Sequence, residues 1–304
     1  MLKVSSLLCA LFLILLPSVP AQGQTLEPRL YSNVPVDMNF LLAGYVYSTG
    51  ATIADPTVQL ENGQIVIQMP FAACARSFGL WGKSAKFDVV VPYGVLSGSA
   101  TLNGVLKERE VEGFTDPSFR VSMNFAGAPA LTLPEFRGYK QDLIFGGSLQ
   151  ILAPLGQYDS TRIVNLGANR WTIKPELGIS KALGPVILEL SAAAAIFTDN
   201  NDFNNGHVKS QEPIYSFQGH IVYTFRKGIW AALDATWFTG GQSTTDGVEG
   251  KDLQNNSRLG ATLAVPVSKL NSIKLYASTG ISTRTGTDFN TYGMAWQYRW
   301  GGGL

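Results

Sequence analysis

The chain has 304 residues, of which 45% are hydrophobic, 15% are charged and 32 are glycine. Soluble globular domains carry about 25% charged residues, so this composition favours a protein in contact with a membrane and excludes a disordered chain. The formal net charge of +1 gives no electrostatic reason to expect nucleic acid as a partner.

The first 21 residues predict a secretory signal peptide. Lys3 precedes an apolar run from Leu7 to Leu16, and small residues lead up to Ala21, where a signal peptidase would cut. The alternative is an uncleaved anchor, but the run is too short for the ~20 residues of a spanning helix. We therefore expect cleavage after Ala21. Cys74 is then the only thiol, which rules out an internal disulfide.

The rest of the chain predicts an all-β protein. After the signal peptide no run of eighteen apolar residues occurs, so only a closed β-barrel could cross a bilayer. Twelve segments alternate between apolar and polar residues, as the strands of such a barrel must. They are residues 36–49, 63–77, 83–96, 115–126, 141–154, 171–182, 185–198, 213–226, 229–239, 255–266, 271–284 and 288–300.

The alternation is clearest near the end of the chain. In 255–266, Leu259 and Leu263 fall on one face, and Arg258 and Thr262 fall on the other. The strand 213–226 is less regular and is interpreted with a β-bulge near Gly219. A soluble β-sandwich also alternates, but the export signal and the aromatic residues at strand ends favour a membrane barrel. Those aromatic residues are Tyr45, Tyr47, Trp171, Phe197, Tyr223, Phe225, Trp237, Phe238, Tyr298 and Trp300.

The connections between strands predict the orientation of the barrel. An even strand number returns both termini to the periplasmic side, and long loops face the exterior. The long connections are 50–62, 97–114, 155–170, 199–212 and 240–254. The segment 127–140 falls on the short-turn side and is interpreted as a cap on the lower mouth. The predicted organisation is a signal peptide (1–21), an N-terminal periplasmic segment (22–35) and a 12-stranded antiparallel transmembrane β-barrel domain (36–301).

The inward faces of these strands carry charged residues of both signs. One interpretation is a neutralising network, with Glu189 near Lys174 and Asp234 near Arg258 or Arg226. The other is a polar solute pathway whose basic excess favours anionic solutes, and the two are compatible. The candidate lumen residues are Lys86, Arg120, Lys174, Glu176, Glu189, His220, Asp234, Arg258, Lys274, Arg284 and Arg299.

Catalysis has little support in the sequence. His207 lies in a loop and His220 on an inward face, and neither is near a nucleophile motif such as G-x-S-x-G. The two His and the single mature Cys have no metal-ligand spacing. We therefore predict no catalytic residue, no metal and no cofactor, and a protein that is not an enzyme.

Several short motifs are spread over the chain from about Asn39 to Gly301. They lie at 82–84, 116–117, 127–131, 153–159, 169–171, 174–178, 197–200, 238–241, 256–260 and 284–289. Together they resemble those of a known family, the outer-membrane proteins of the meta pathway of phenol degradation, which are transporter-like β-barrels. The resemblance implies uptake of aromatic compounds and implies no catalytic residues.

The sequence thus predicts a channel in a Gram-negative cell outer membrane for passive uptake of small solutes, with aromatic compounds suggested by the resemblance. The expected partners are outer-membrane lipid, a small-molecule solute and the barrel-assembly machinery, which reads a last strand ending in an aromatic such as Trp300. We expect a monomer. The alternatives are a filled barrel that acts as a structural or adhesion platform through its long exterior loops, and a lipid-acting enzyme at the rim.

Overall fold

The computed structural model describes residues 26–53, 60–102, 105–225 and 228–304, so the predicted signal peptide lies outside the described residues. The described chain consists of antiparallel strands and one four-residue helix. In chain order the elements are β1 (Met38–Ile53), β2 (Leu60–Leu80), β3 (Lys83–Leu102), β4 (Val105–Phe114), β5 (Ser118–Ala126), α1 (Leu133–Phe136), β6 (Leu143–Leu152), β7 (Thr172–Leu183), β8 (Val186–Phe197), β9 (Asn200–Phe203), β10 (His207–Gln211), β11 (Ile214–Thr224), β12 (Trp230–Gly240), β13 (Ser243–Thr245), β14 (Val248–Glu249), β15 (Gln254–Pro266), β16 (Asn271–Ser282) and β17 (Gly286–Gly301).

The main sheet closes on itself into a barrel. The first strand β1 pairs with the last strand β17, from Met38 opposite Gly301 to Ile53 opposite Gly286. Residues 93–102 of β3 pair with β4, and residues 85–90 of the same strand pair with β5. Strands β4 and β5 therefore follow one another along a single position around the wall. The result is a closed antiparallel barrel of twelve strands, which confirms the predicted fold class.

The two faces of the wall differ as the alternation predicts. On β15, Leu259 and Leu263 are exposed on the outside, and Arg258 and Thr262 are buried on the inside. The single helix is four residues long, and none of the described helices could cross a bilayer. The outward apolar band is the surface that meets membrane lipid, because an exposed apolar surface of this extent is not tolerated in water.

The strands at the start of the chain are longer than predicted. Residues 97–114, expected to be a loop, contain the end of β3 and all of β4. Half of these residues are polar or charged, and the pairing of β3 with β4 includes them in the sheet. The expected loops 199–212 and 240–254 likewise contain a separate four-stranded sheet, ordered β14, β13, β10, β9.

Two local predictions on β11 and β12 are wrong. The pairing of β11 with β8 and with β12 is regular across Gly219, so that strand has no bulge there, because its outward and inward residues alternate without interruption. Phe238, expected at the lipid surface, is buried inside the barrel. It follows Trp237, and only one of two successive side chains can face outward.

The barrel has a short-turn end and a long-loop end. Both ends of the barrel chain, Met38 and Gly301, lie at the short-turn end. The segment 127–142 between β5 and β6 lies there too, and contains α1. Its residues 128–131 bond to the chain before β1: the Val36 amide donates to the Leu131 carbonyl at 2.8 Å, and the Asn33 side chain donates to the Pro129 carbonyl at 3.2 Å.

The largest hydrophobic cluster lies inside the barrel, along β1 to β3. The sequence pattern did not resolve which face of these strands points inward. In the structure their inward side chains are mostly apolar, and they pack against residues that precede β1. The wall side chains of this cluster include Phe40, Leu42, Val46, Ile67, Met69, Phe71, Val90 and Leu96.

A charge on the outer face should destabilise the barrel because that face lies in hydrocarbon. Leu190 on β8 is 64% exposed, and we expect Leu190→Arg to lower the free energy of unfolding by about 2–4 kcal/mol. Val248 on β14 is 72% exposed but lies in the separate sheet, so Val248→Arg should change the free energy of unfolding by less than about 0.5 kcal/mol. Urea unfolding in phospholipid vesicles measures both, and equal effects would contradict the assignment of the lipid-facing surface.

Candidate functional site

Nine of the eleven candidate lumen residues are buried on the inner surface of the barrel. They come from eight strands and form a charged wall opposite the apolar side chains of β1 and β2. These nine are Lys86, Arg120, Lys174, Glu176, Glu189, His220, Asp234, Arg258 and Lys274.

The other two candidates lie elsewhere. Arg284 is exposed in the connection between β16 and β17, because β16 ends at Ser282 and the Arg284 amide donates to the Asn256 side chain at 2.8 Å. Arg299 is half-buried at the short-turn end. Its guanidinium donates to the Lys269 carbonyl, at 3.0 Å from Nε and 2.6 Å from Nη2, so it braces a turn. The prediction that Arg284 lines the lumen is wrong.

Two of the expected charged pairs, Glu189 with Lys174 and Asp234 with Arg258, do not form. The alternative partner of Asp234, Arg226, lies outside the described residues. Lys174 lies 3.8 Å from Glu176, two residues along the same strand, and not beside Glu189. Asp234 accepts from Thr262 at 2.9 Å and contacts His220 Nδ1 at 2.7 Å, whereas Arg258 donates to the Phe289 carbonyl at 2.7 Å. The register of β11 on β12 explains this, because it sets His220 directly opposite Asp234.

The segment before β1 lies inside the barrel. Residues 22–35 were predicted to be periplasmic, but the described part, 26–35, is buried against the inner wall apart from a half-buried Arg29. We name residues 26–36 the plug segment. The prediction fails for these residues because they enter at the short-turn end, where β1 begins, and the lumen offers partners for their polar groups.

Polar side chains of the wall hold the plug segment. Arg120 forms an ion pair with Glu27, and Lys86 donates to the Leu30 carbonyl. Glu189 accepts from the Arg29 amide at 2.6 Å. Tyr31 donates its hydroxyl to Glu176 at 3.0 Å. Four of the predicted lumen residues therefore satisfy groups of the plug.

Glycine residues in the wall leave room for the plug segment. A Cβ at Gly178 on β7 would lie 2.1 Å from Tyr31 Cε2, and one at Gly146 on β6 would lie 2.5 Å from Tyr31 Cδ1. Similarly, a Cβ at Gly260 on β15 would lie 2.4 Å from Leu26 Cδ1. The wall is therefore shaped for this segment, because any larger residue at these positions would meet it.

A loop fills the long-loop end of the lumen. Leu166, in the predicted exterior loop 155–170, is buried in the same hydrophobic cluster as the plug segment. Asp116, between β4 and β5, fixes this loop by accepting from the Gly156 amide at 2.9 Å and the Ala168 amide at 2.7 Å. Burial raises the pKa of the Asp116 carboxyl, although these two amides act in the opposite direction.

Each of the two histidines contacts an aspartate carboxylate. His220 and Thr262 both contact Asp234, so the carboxylate lies between them, whereas a hydrolytic triad places the histidine between the nucleophile and the acid. His207 lies in the separate sheet, 2.5 Å from Asp246. The Val208 amide and His207 hold the pKa of Asp246 below its ordinary value. Among the described residues, no group of three His, Cys, Asp or Glu could hold a metal ion.

Sequence reasoning missed the plug residues Glu27 and Tyr31 as parts of the site. The available signal was the mixed character of 26–36, which contains one acid, one base and several apolar residues and so resembles a buried segment. Asp88, which accepts from Arg120 Nε at 3.1 Å, is a further residue of the site that is not among the eleven candidates.

The closed barrel, its apolar outer band and its charged lumen define an outer-membrane β-barrel. The chain belongs to the family described as "Putative MetA-pathway of phenol degradation", whose sequence model matches residues 48–298. The resemblance predicted from the motifs is thereby confirmed.

Solved structures with the same fold agree with this class. An outer membrane channel from Pseudomonas putida F1 is similar with a TM-score of 0.77 and 18% identity, over 90% of this chain and 99% of that one. The transport unit of the autotransporter AIDA-I from Escherichia coli is similar with a TM-score of 0.53 and 8% identity, over 93% of both chains. At these identities the likeness shows the fold alone. A comparison with curated proteins finds no match.

The fit of Tyr31 against Gly178 can be tested by proteolysis. Gly178→Ala should expel the Tyr31 ring and release the plug segment, so trypsin should cleave after Arg29, which mass spectrometry of the digest would detect. Gly219→Ala is a matched control, because its Cβ would face outward and meet Leu190 Cδ2 at an ordinary 3.4 Å. Protection of Arg29 in the Gly178→Ala protein would contradict this role of Gly178.

Proposed function

We propose that this protein is a channel for passive uptake of small aromatic solutes across the outer membrane, and that the plug segment must leave the lumen for solutes to pass. One observation carries the proposal: the lumen is filled by a segment that belongs to no strand of the barrel. The bonds between residues 26–33 and the wall all use a side chain on at least one side. Removing the segment therefore leaves the backbone hydrogen bonds between the barrel strands intact.

The inner surface left by the plug segment suits an aromatic solute. One side carries Phe40, Leu42, Met69 and Phe71, which offer apolar and polarisable contacts. The opposite side carries charged and hydrogen-bonding groups such as Lys174. A ring with one polar substituent is complementary to such a lumen, because each half of the molecule meets a matching surface. The family to which the chain belongs supports the same class of solute.

The proposal excludes an enzymatic role and includes a monomeric barrel inserted by the assembly machinery. The strongest alternative is a filled barrel that serves as a structural or adhesion platform. The observation in its favour is the packing of both the plug segment and Leu166 in the lumen. Under that alternative the plug would never leave, and the exterior loops with their separate sheet would be the functional part.

Deletion of residues 22–35 decides between these two functions. We expect single-channel conductance in planar bilayers to rise several-fold above that of the intact mature chain, because the segment no longer occupies the lumen. Deletion of Gly303 and Leu304, which are exposed at the same end of the barrel, is the matched control and should change nothing. A folded deletion protein without conductance steps would favour the platform.

The charge of the wall should set the ion selectivity of the open channel. In the protein lacking residues 22–35, replacing Lys86 and Lys174 by Ala removes two positive charges from the lumen, so the reversal potential in a KCl gradient should shift toward cation preference. Arg76→Ala is the control, since Arg76 is exposed on the outer face. Unchanged selectivity in the double variant would show that these lysines do not face the ion path.

A further inference from the structure

The carboxylate of Glu27 lies in a basic part of the lumen. Glu27 is the only acidic residue of the plug segment and is 7% exposed. It forms an ion pair with Arg120, and the ammonium groups of Lys174 and Lys274 are close enough to attract it. Arg120 on β5 therefore contacts this carboxylate directly, and Lys174 on β7 and Lys274 on β16 add favourable electrostatic interactions at longer range.

The wall holds this basic site in place without help from the plug. Asp88 on β3 accepts from Arg120 Nε at 3.1 Å, which leaves another nitrogen of the guanidinium to bind Glu27. Lys174 is held 3.8 Å from Glu176 on its own strand. Arg120 and Lys174 are thus anchored by the barrel, so this part of the site persists when Glu27 leaves.

Glu27 fits this site incompletely. Among the described residues its Oε1 atom is buried without a hydrogen-bond partner, although Oε2 is bound by Arg120. Lys274 is 1% exposed, and its Nζ likewise has no hydrogen-bond partner within that part of the chain. Burying polar atoms without partners costs free energy. A carboxylate free to take a better position could bind both Arg120 and Lys274, so the site offers more donors than Glu27 uses.

An aromatic residue stands at the same level of the inner surface as Lys274. Trp230 on β12 and Lys274 on β16 are both paired with Ala264, so they flank this residue two strands apart. Trp230 is fully buried, its Nε1 has no hydrogen-bond partner in the described part of the chain, and the Arg29 guanidinium of the plug lies 5.3 Å from its ring. Departure of the plug would therefore uncover a ring face and a donor two strands away from Lys274.

We propose that Arg120, Lys174 and Lys274 form a binding site for the carboxylate of a small aromatic acid, and that Glu27 occupies this site as an internal competitor. Solute binding and release of the plug segment are then coupled, since both carboxylates need the same cations. This inference rests on the proposed channel function and specifies its solute class.

Calorimetry on the purified mature protein in detergent tests the site, with benzoate as the probe and benzyl alcohol as its neutral analogue. Glu27→Gln keeps the volume of the side chain and removes its charge. We expect it to lower the Kd of benzoate about tenfold, the effect of one charge-assisted hydrogen bond, and to leave the Kd of benzyl alcohol unchanged. Lys274→Met in the Glu27→Gln protein should raise the Kd of benzoate about tenfold. Since Lys274 has no hydrogen-bond partner to lose, this replacement should not prevent folding.

Tyr31→Phe is the control for a plug that is merely loosened. It removes the hydroxyl bonded to Glu176 and leaves the three cations untouched, so any effect should be equal for benzoate and benzyl alcohol. Equal changes in the Kd of both compounds in Glu27→Gln would overturn the proposal, because Glu27 would then only hold the plug in place and would not compete with benzoate. Absence of benzoate binding to the Glu27→Gln protein would overturn it as well.

Conductance of the same variants separates this inference from the proposed function. Charge-selective benzoate binding in a protein that never conducts, even without residues 22–35, would support the site and refute the channel. Conductance without any preference for benzoate over benzyl alcohol would refute the site and leave the channel standing.

Discussion

The structure depends on one constraint: a strand in hydrocarbon must pair its amides and carbonyls with another strand, because lipid offers no partner. The pairing of β1 with β17 meets it by closing the sheet. Closure with an even number of strands also sets both chain ends at one mouth of the barrel. The residues before Met38 are thereby delivered to the entrance of the lumen, and the plug segment is a consequence of how the barrel closes.

The second level of organisation is the pairing of charges inside a narrow barrel. Some charged groups of the wall pair with each other, as Asp88 does with Arg120. Glu189 and Arg120 also bind polar groups of the plug segment. Breaking a buried pair costs about 3–5 kcal/mol when one partner is left uncompensated. A solute that replaces the plug must therefore make the same polar contacts. The wall residues that hold the plug are thus also the residues that select the solute.

The alternation of residues predicted the later strands well and the site partially. Arg258 and Lys274 were correctly placed on inward faces, because a period of two fixes the face once one residue of a strand is assigned. The pairing of Lys174 with Glu176, and the position of Arg284 beyond the end of β16, could not be predicted. Both depend on the register of neighbouring strands and on where a strand ends, and alternation within one strand contains neither.

The sequence by itself determined that the protein is exported, that its strands form a closed membrane barrel, and which side of most strands faces lipid. These properties follow from local hydrophobicity, because each side chain favours lipid or water according to its own polarity. Only the tertiary structure decided that β1 to β3 present an apolar surface to the lumen and that Glu27 lies against Arg120. Residues 93 positions apart meet there because the wall surrounds the segment, and no pattern within either segment specifies that contact.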